Sequence, residues 1–385
     1  MGVFTVILLI LWIEKFRKTI LINLKNIFYF RPLLLLLAFI AYTYISILWS
    51  NSFTAALEHL NQFQKYYFLL IPILFTSLTE TEAKNSIKVL IISFASYALF
   101  SLLIYMNLIA VEGSTQSNPK GILAYAIATQ YMAIGAISSF IFSVFTKSKQ
   151  SKIFFLSLSV ICFFALFINN SRTSQLAFLL SSITLLLFFY RATLFKLKVF
   201  VFSCLSLLIV LSTSYYLVKD ETLHRYAQAY EQFQVAVNND EYSGAFGARV
   251  FFNVAAIKIL SDNLLFGTGP VDNYDLLKEM QAKHPHFNHH ITSSFHSQHF
   301  EILTGYGIFG YSLFAASIIY LLFYLRRDKL YFFIGLNIFT TFFFISFANY
   351  TFLKKPITYI FISFFILLAV IAYRQHIQKR SNDIA

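Results

Sequence analysis

Apolar runs long enough to cross a bilayer recur along the whole chain, separated by short polar connections. A transmembrane helix needs roughly 17–25 mostly apolar residues. Runs near that length lie at about residues 32–49, 89–110, 122–146, 153–169, 174–190, 199–217, 299–325, 331–347 and 357–373. Two further runs are shorter. The one at 66–78 is extendable by its flanking tyrosines, and the one at 2–13 is clipped or interfacial. The pattern predicts an all-α polytopic membrane protein of about 11–12 transmembrane helices. About eight spans fall in an N-terminal bundle over 1–217, and the rest lie in 299–385 ahead of a short tail. Between them, 218–298 forms one long loop with amphipathic helices.

Composition agrees with this division. The chain is 58% hydrophobic and 12% charged, whereas soluble domains are about 45–50% apolar and about 25% charged. The first run ends in "EKFRK", not in a small-residue cleavage site, so no cleavable signal is expected. The net charge of +13 reads as topology, not as a nucleic-acid patch, because its carriers sit in alternate connections. They are Lys15, Arg17, Lys18, Lys25 and Arg31; Lys84 and Lys88; Lys147, Lys149 and Lys152; Arg191, Lys196 and Lys198; Arg326, Arg327 and Lys329; and Arg374, Lys379 and Arg380. Alternating spans place all six groups on one side, and the excess of basic residues in cytoplasmic loops makes that side cytoplasmic. Lys65, Lys120, Lys354 and Lys355 are the minority exceptions. Cys162 and Cys204 both lie within apolar runs and read as small core residues.

The same orientation puts 218–298 outside, which in a Gram-negative cell is the periplasm. Nine of the seventeen acidic residues fall there, between Asp220 and Glu279. Leu223, Tyr226, Tyr230, Phe233 and Val237 recur at three- and four-residue steps, making one apolar stripe. Such a helix lies in the membrane interface or caps the bundle, and it could also help to shape an acceptor groove.

The chemistry-bearing residues gather on that outer side. Arg172, in "NNSRTSQL", occupies a turn where the topology disfavours basic residues; alone it would read as a snorkelling anchor. Arg249, in "GAFGARVFFN", begins a helix after a glycine-rich approach, where a cation opposes the helix dipole. It is better explained if an anion is held nearby, since a guanidinium matches phosphate oxygens bidentately. Gly267 and Gly269 with Pro270 make a tight turn that matches no nucleotide fingerprint. Six of the nine histidines lie between His284 and His299, in no zinc-ligand spacing. His296 stands directly before a span, followed by Ser297, nine residues, and Gly307-x-x-Gly310. Glycines so spaced permit close helix approach. The roles of His284, His286, His289 and His290 stay open.

Together "SRT" at Ser171–Thr173, "GARVFFNVAAIKILSDNLLFGTG", and His296-Ser297 followed by Gly307-x-x-Gly310 resemble the O-antigen ligase superfamily. Leu264 and Tyr311 depart from that pattern, where proline and a smaller residue are usual. The resemblance implies a GT-C-like glycosyltransferase in the inner membrane with its site facing the periplasm. Its donor would be an undecaprenyl-diphosphate-linked glycan and its acceptor lipid A–core oligosaccharide, with membrane lipids as surroundings and no cofactor, ATP or metal. It further implies His296 as general base, Arg172 and Arg249 on the diphosphate, and substrate contacts from Ser171, Thr173, Gly267, Gly269, Ser297 and His299. A glycan polymerase of the same superfamily is the nearest alternative, then transfer to protein. A transporter or flippase is the alternative of another class; it would place polar groups mid-span.

Overall fold

The computed structural model describes residues 20–169, 171–191, 197, 227–288, 290–349 and 355–382. The helices in chain order are α1 Ile20–Tyr29, α2 Arg31–Ile45 with a 3-10 turn Ser46–Trp49, α3 Phe53–Phe63, α4 Lys65–Ser77, α5 Glu80–Tyr105, α6 Tyr125–Phe145 and α7 Lys149–Ile168. They continue with α8 Arg172–Arg191, α9 over 227–239, α10 Gly244–Asp262, α11 Asp272–Lys283, α12 Gln298–Leu325, α13 Lys329–Ile345 and α14 Lys355–Asn382. A two-residue parallel pair, β1 Tyr242–Ser243 with β2 Phe287–Asn288, is the exception to an all-α fold among the described residues.

Eight of these helices are long and apolar enough to cross a membrane: Arg31–Trp49, Glu80–Tyr105, Tyr125–Phe145, Lys149–Ile168, Arg172–Arg191, Gly244–Asp262, Gln298–Leu325 and Ile357–Ile377. At 1.5 Å per residue, about 20 residues cover a hydrocarbon core of ~30 Å. The expected spans at 2–13 and 199–217 lie outside the described residues. The expected span at 66–78 is α4, which has 13 residues and Pro72 inside it. It is preceded by the separate helix α3, so this stretch is a broken pair and not one full crossing. The run at 331–347 becomes α13, with 17 residues. A second departure concerns α10. It was assigned to the outer loop, yet its length and composition suffice for a span. Its buried face nevertheless packs with Tyr242, Tyr274, Leu277 and Phe295, in a cluster separate from the main bundle core.

Caps and polar ties fix where helices start and how they meet. Thr79 and Glu82 form a reciprocal capping box at the start of α5, and Asp328 caps α13. At one end of the bundle, Lys84 bridges Glu80 at 2.7 Å and Asp328 at 3.1 Å. Gln375 donates to Glu80 and Asp328 at the same end. At the other end, the Asn169 amide donates to Ser101 at 2.8 Å, and Thr129 and Ser174 share a 2.9 Å hydrogen bond. The helices therefore alternate in direction, with Lys84 and Arg374 near one face. Some mid-bundle polar residues bond one another: Asn337 donates to Ser138 at 2.8 Å, and Thr341 to Ser181 at 3.2 Å. Such bonds glue helices together where no water competes.

The stripe on the outer helix is real over its described half. Tyr230, Phe233 and Val237 are exposed, while Ala236 joins the outer cluster; Leu223 and Tyr226 lie outside the described residues.

Candidate active site

Arg172, Arg249 and His296 lie toward one end of the bundle. Arg172 is the first residue of α8 and is half-buried. Behind it Ser174 bonds Thr129, one turn after Tyr125 opens α6. Arg249 falls in the second turn of α10, where it is half-buried and interacts electrostatically with both Tyr125 and Arg172. One turn further along α10, the Phe252 ring stacks on the His296 imidazole, with centroids 5.6 Å apart and planes at 15°. The series Tyr125, Arg172, Arg249, Phe252, His296 thus spans α6, α8, α10 and the turn before α12, four elements distant in sequence.

His296 has φ of +51°, one of three non-glycine residues with positive φ among those described. A residue held in this region costs on the order of 1–3 kcal/mol and persists only when its surroundings over-determine it. Here they do. The His296 amide donates to Ser294 Oγ at 3.1 Å. On the other flank, Ser297 Oγ donates to the Ser346 carbonyl at 3.1 Å, and the Gln298 amide donates to the carbonyls of Ser346 and Asn349 at 2.9 and 3.1 Å.

Several of the residues expected at the substrate make structural hydrogen bonds. Ser297 caps α12 and ties it to α13, and it is buried. His299 uses both ring nitrogens: Nε2 donates to the Phe343 carbonyl at 2.9 Å, and Nδ1 accepts from the Tyr311 hydroxyl at 3.0 Å. That second bond also accounts for Tyr311, the departure from the family pattern. Ser171 is buried, with its Oγ 3.3 Å from Ser174 Oγ; Thr173 is half-buried beside Arg172.

Gly267 and Gly269 are buried, and their turn pairs with α12. The amides of Thr268 and Gly269 donate to the carbonyls of Thr304 and Gly305, at 2.9 and 3.0 Å. In return the amides of Ile308 and Phe309 donate to the carbonyls of Leu264 and Leu265, at 2.9 and 3.1 Å. Gly307 breaks α12 at this point, with φ of +64° and ψ of −175°. Both glycines admit a close neighbour as the spacing suggested: the Leu265–Phe266 backbone lies against Gly307, and a Cβ at Gly310 would come within 3.0 Å of the Tyr42 ring on α2. The turn is an interlock of backbone with backbone.

Other histidines of the cluster have their own surroundings. His284 Nε2 lies 3.2 Å from Asp240 Oδ2 and packs edge-on against Tyr242 and Phe251. His286 and His290 are exposed, and His289 lies outside the described residues.

Sequence reasoning passed over a mostly apolar cavity of about 70 Å³ whose polar lining includes His59, Gln64, Tyr274, Gln298 and Glu301. Burial lowers His59 from its ordinary value to about 4, because the imidazolium is poorly solvated there. Between pH 6.5 and about 4 the unfolded chain therefore binds a proton that the folded one refuses. The stability that neutral His59 contributes is complete above about pH 6.5 and is lost as pH falls toward 4. We expect the thermal midpoint of the purified protein to fall over this interval, and His59→Gln to flatten part of that slope. Up to about 3 kcal/mol is at stake, at 1.36 kcal/mol per pKa unit. Parallel slopes for both proteins would contradict the assignment.

Apolar helices of bilayer length, with guanidinium and imidazole groups gathered at one end, define a multi-pass membrane protein with a candidate anion-handling site. Residues 157–315 match the family model described as O-Antigen ligase. The matched segment contains Arg172, Arg249, His296 and Gly310, and it bears out the resemblance to the O-antigen ligase superfamily, whose members are membrane glycosyltransferase-like enzymes. No curated protein matches the chain.

Proposed function

We propose that the protein is an O-antigen ligase, transferring a glycan from undecaprenyl diphosphate to lipid A–core oligosaccharide at the periplasmic face of the inner membrane. The observation that supports this reading is the Phe252–His296 stack one turn along α10 from Arg249, whose guanidinium feels the charge of Arg172. Two guanidinium groups placed together repel unless an anion bridges them, and a diphosphate supplies oxygens for both.

In this mechanism the acceptor hydroxyl oxygen bonds to the anomeric carbon of the donor sugar while the bond from that carbon to the diphosphate oxygen breaks. The bonding electron pair leaves with the diphosphate, whose growing charge Arg172 and Arg249 stabilise. His296 takes the hydroxyl proton. Attack opposite the leaving group inverts the anomeric centre.

Arg172→Ala and Arg249→Ala are expected to lower transfer on the order of a hundredfold, as loss of one preorganised charge-stabilising donor does. Lysine at either place should restore little, because it lacks the planar fork. Wild-type transfer by both alanine variants would refute the diphosphate assignment. A deletion strain settles the acceptor. Loss of all long-chain lipopolysaccharide with accumulation of lipid-linked polymer supports ligation, and core bearing a single repeat unit would make the enzyme a polymerase instead.

A further inference from the structure

Glu301 is the lone acid in the first turn of α12, and it is buried. Its Oε1 accepts two hydrogen bonds, from Ser294 Oγ and from the Phe295 amide, both at 2.9 Å. Ser294 Oγ is the same oxygen that accepts from the His296 amide. One carboxylate oxygen thus gathers the three residues that form the left-handed turn at His296. On its far side the group is also held. The Tyr274 phenol lies close enough to act on the same carboxyl, yet Oε2 has no hydrogen bond of good geometry. Burial and the Glu301 charge keep the Tyr274 phenol well above its ordinary range, so it remains a donor. Tyr274 belongs to α11, whose Asn273 donates to Thr304 at 3.0 Å and whose Asp272 accepts from Ser50 and from the Asn51 amide at 2.8 Å. The turn is therefore braced against both the outer helix and the bundle.

We infer that Glu301 is a positioning residue: as a two-point acceptor it fixes the Ser294–His296 turn and with it the direction of the imidazole. The inference rests on the reading of His296 as the base. It follows from an asymmetry in the carboxylate. Both turn-forming bonds go to one oxygen, which an amide carbonyl reproduces, whereas the second oxygen makes no bond that positions the turn. What the turn needs from Glu301 is an acceptor of fixed place, and charge is not required. A positioning error of about 1 Å at a reacting group can cost on the order of a hundredfold in rate, so the effect should appear in turnover before binding. Arg172 and Arg249, assigned to the donor, are not held by this carboxylate.

The test uses the full-length protein in detergent, with an undecaprenyl-diphosphate-linked oligosaccharide as donor and rough lipopolysaccharide as acceptor. Glu301→Ala should lower kcat about tenfold to a hundredfold and leave KM for the donor within about threefold. Glu301→Gln should bring kcat back to within about threefold of wild type, with an unchanged pH profile. Ser294→Ala, which removes only the bridging hydroxyl, should lower kcat in the same direction, and it carries the test if Glu301→Ala fails to fold. Wild-type kcat in Glu301→Ala, or in Ser294→Ala if that variant alone folds, would overturn the inference, as would a folded Glu301→Gln as inactive as the alanine variant. His296→Ala is measured alongside. If it is inactive while the Glu301 variants are normal, only the positioning role fails; if it is active, the base assignment itself fails.

Discussion

Replacing His296 with alanine is expected to lower glycan transfer by a factor of about 10² to 10⁴, the usual contribution of a placed general base. Donor binding should be nearly untouched, since it is assigned to Arg172 and Arg249. Alanine alone is an ambiguous test at this position. The backbone sits at φ of +51°, and alanine in that conformation adds strain unrelated to proton transfer. Asparagine tolerates the left-handed region better than most residues and cannot act as a base at neutral pH. His296→Asn should therefore fold as well as wild type and be as inactive as His296→Ala. His296→Gly should relieve strain and raise the thermal midpoint while remaining inactive. Retained transfer in the asparagine variant would exclude His296 as the base.

The largest effect on stability is expected at Gly307. A Cβ there would sit 2.3 Å from the Leu265 carbonyl oxygen, 2.4 Å from its carbon and 2.6 Å from the Phe266 nitrogen. All three are backbone atoms, so none can swing away as a side chain would. The unfavourable φ adds to the clash. Gly307→Ala should cost at least about 3 kcal/mol, from backbone strain and overpacking together, and yield little folded protein from the membrane. Gly113→Ala separates the two causes, because Gly113 has φ of +69° with no atom within 4 Å of its added Cβ. That variant should lose only the conformational part, on the order of 1 kcal/mol. A normally folded Gly307→Ala protein would mean that the interlock with the Leu264–Gly269 turn is not as tight as the structure has it.

Much of the architecture could be read from the chain because bilayer physics imposes a length and an apolar composition on each crossing. The runs that became α5, α6, α7, α8, α12 and α14 were legible for that reason. The α4 stretch misled because an apolar run of the right character carried Pro72 and was about two thirds of the needed length. For α10 the difficulty is the reverse: a helix apolar enough for lipid spends its apolar face on Phe251, Phe252, Tyr274 and Phe295. Arg172, Arg249 and His296 could be picked out because each places a polar group where its local surroundings give no reason for one. The bonds of the Gly267–Gly269 turn were not legible because a sequence displays a flexible turn without displaying its partner, and that partner, Thr304 to Phe309, lies almost forty residues away. The bonds of Ser297 and His299 were hidden for the same cause, since Ser346 and Phe343 lie almost fifty residues further along the chain. Glu301 left one visible trace, an acid in an otherwise apolar run, and only the hydrogen bonds to Ser294 and Phe295 give it meaning.

The break at Gly307 divides α12 into a stub of about 13 Å, at 1.5 Å per residue, and a longer shaft reaching Leu325. The stub holds Glu301 and the cap beside His296, and it is clasped by α11, α13 and the glycine turn. The first two amides of the shaft, Ile308 and Phe309, bond the same turn that holds the stub. One short turn therefore registers both segments, and a change in it would reach the stub beneath His296 and the shaft together.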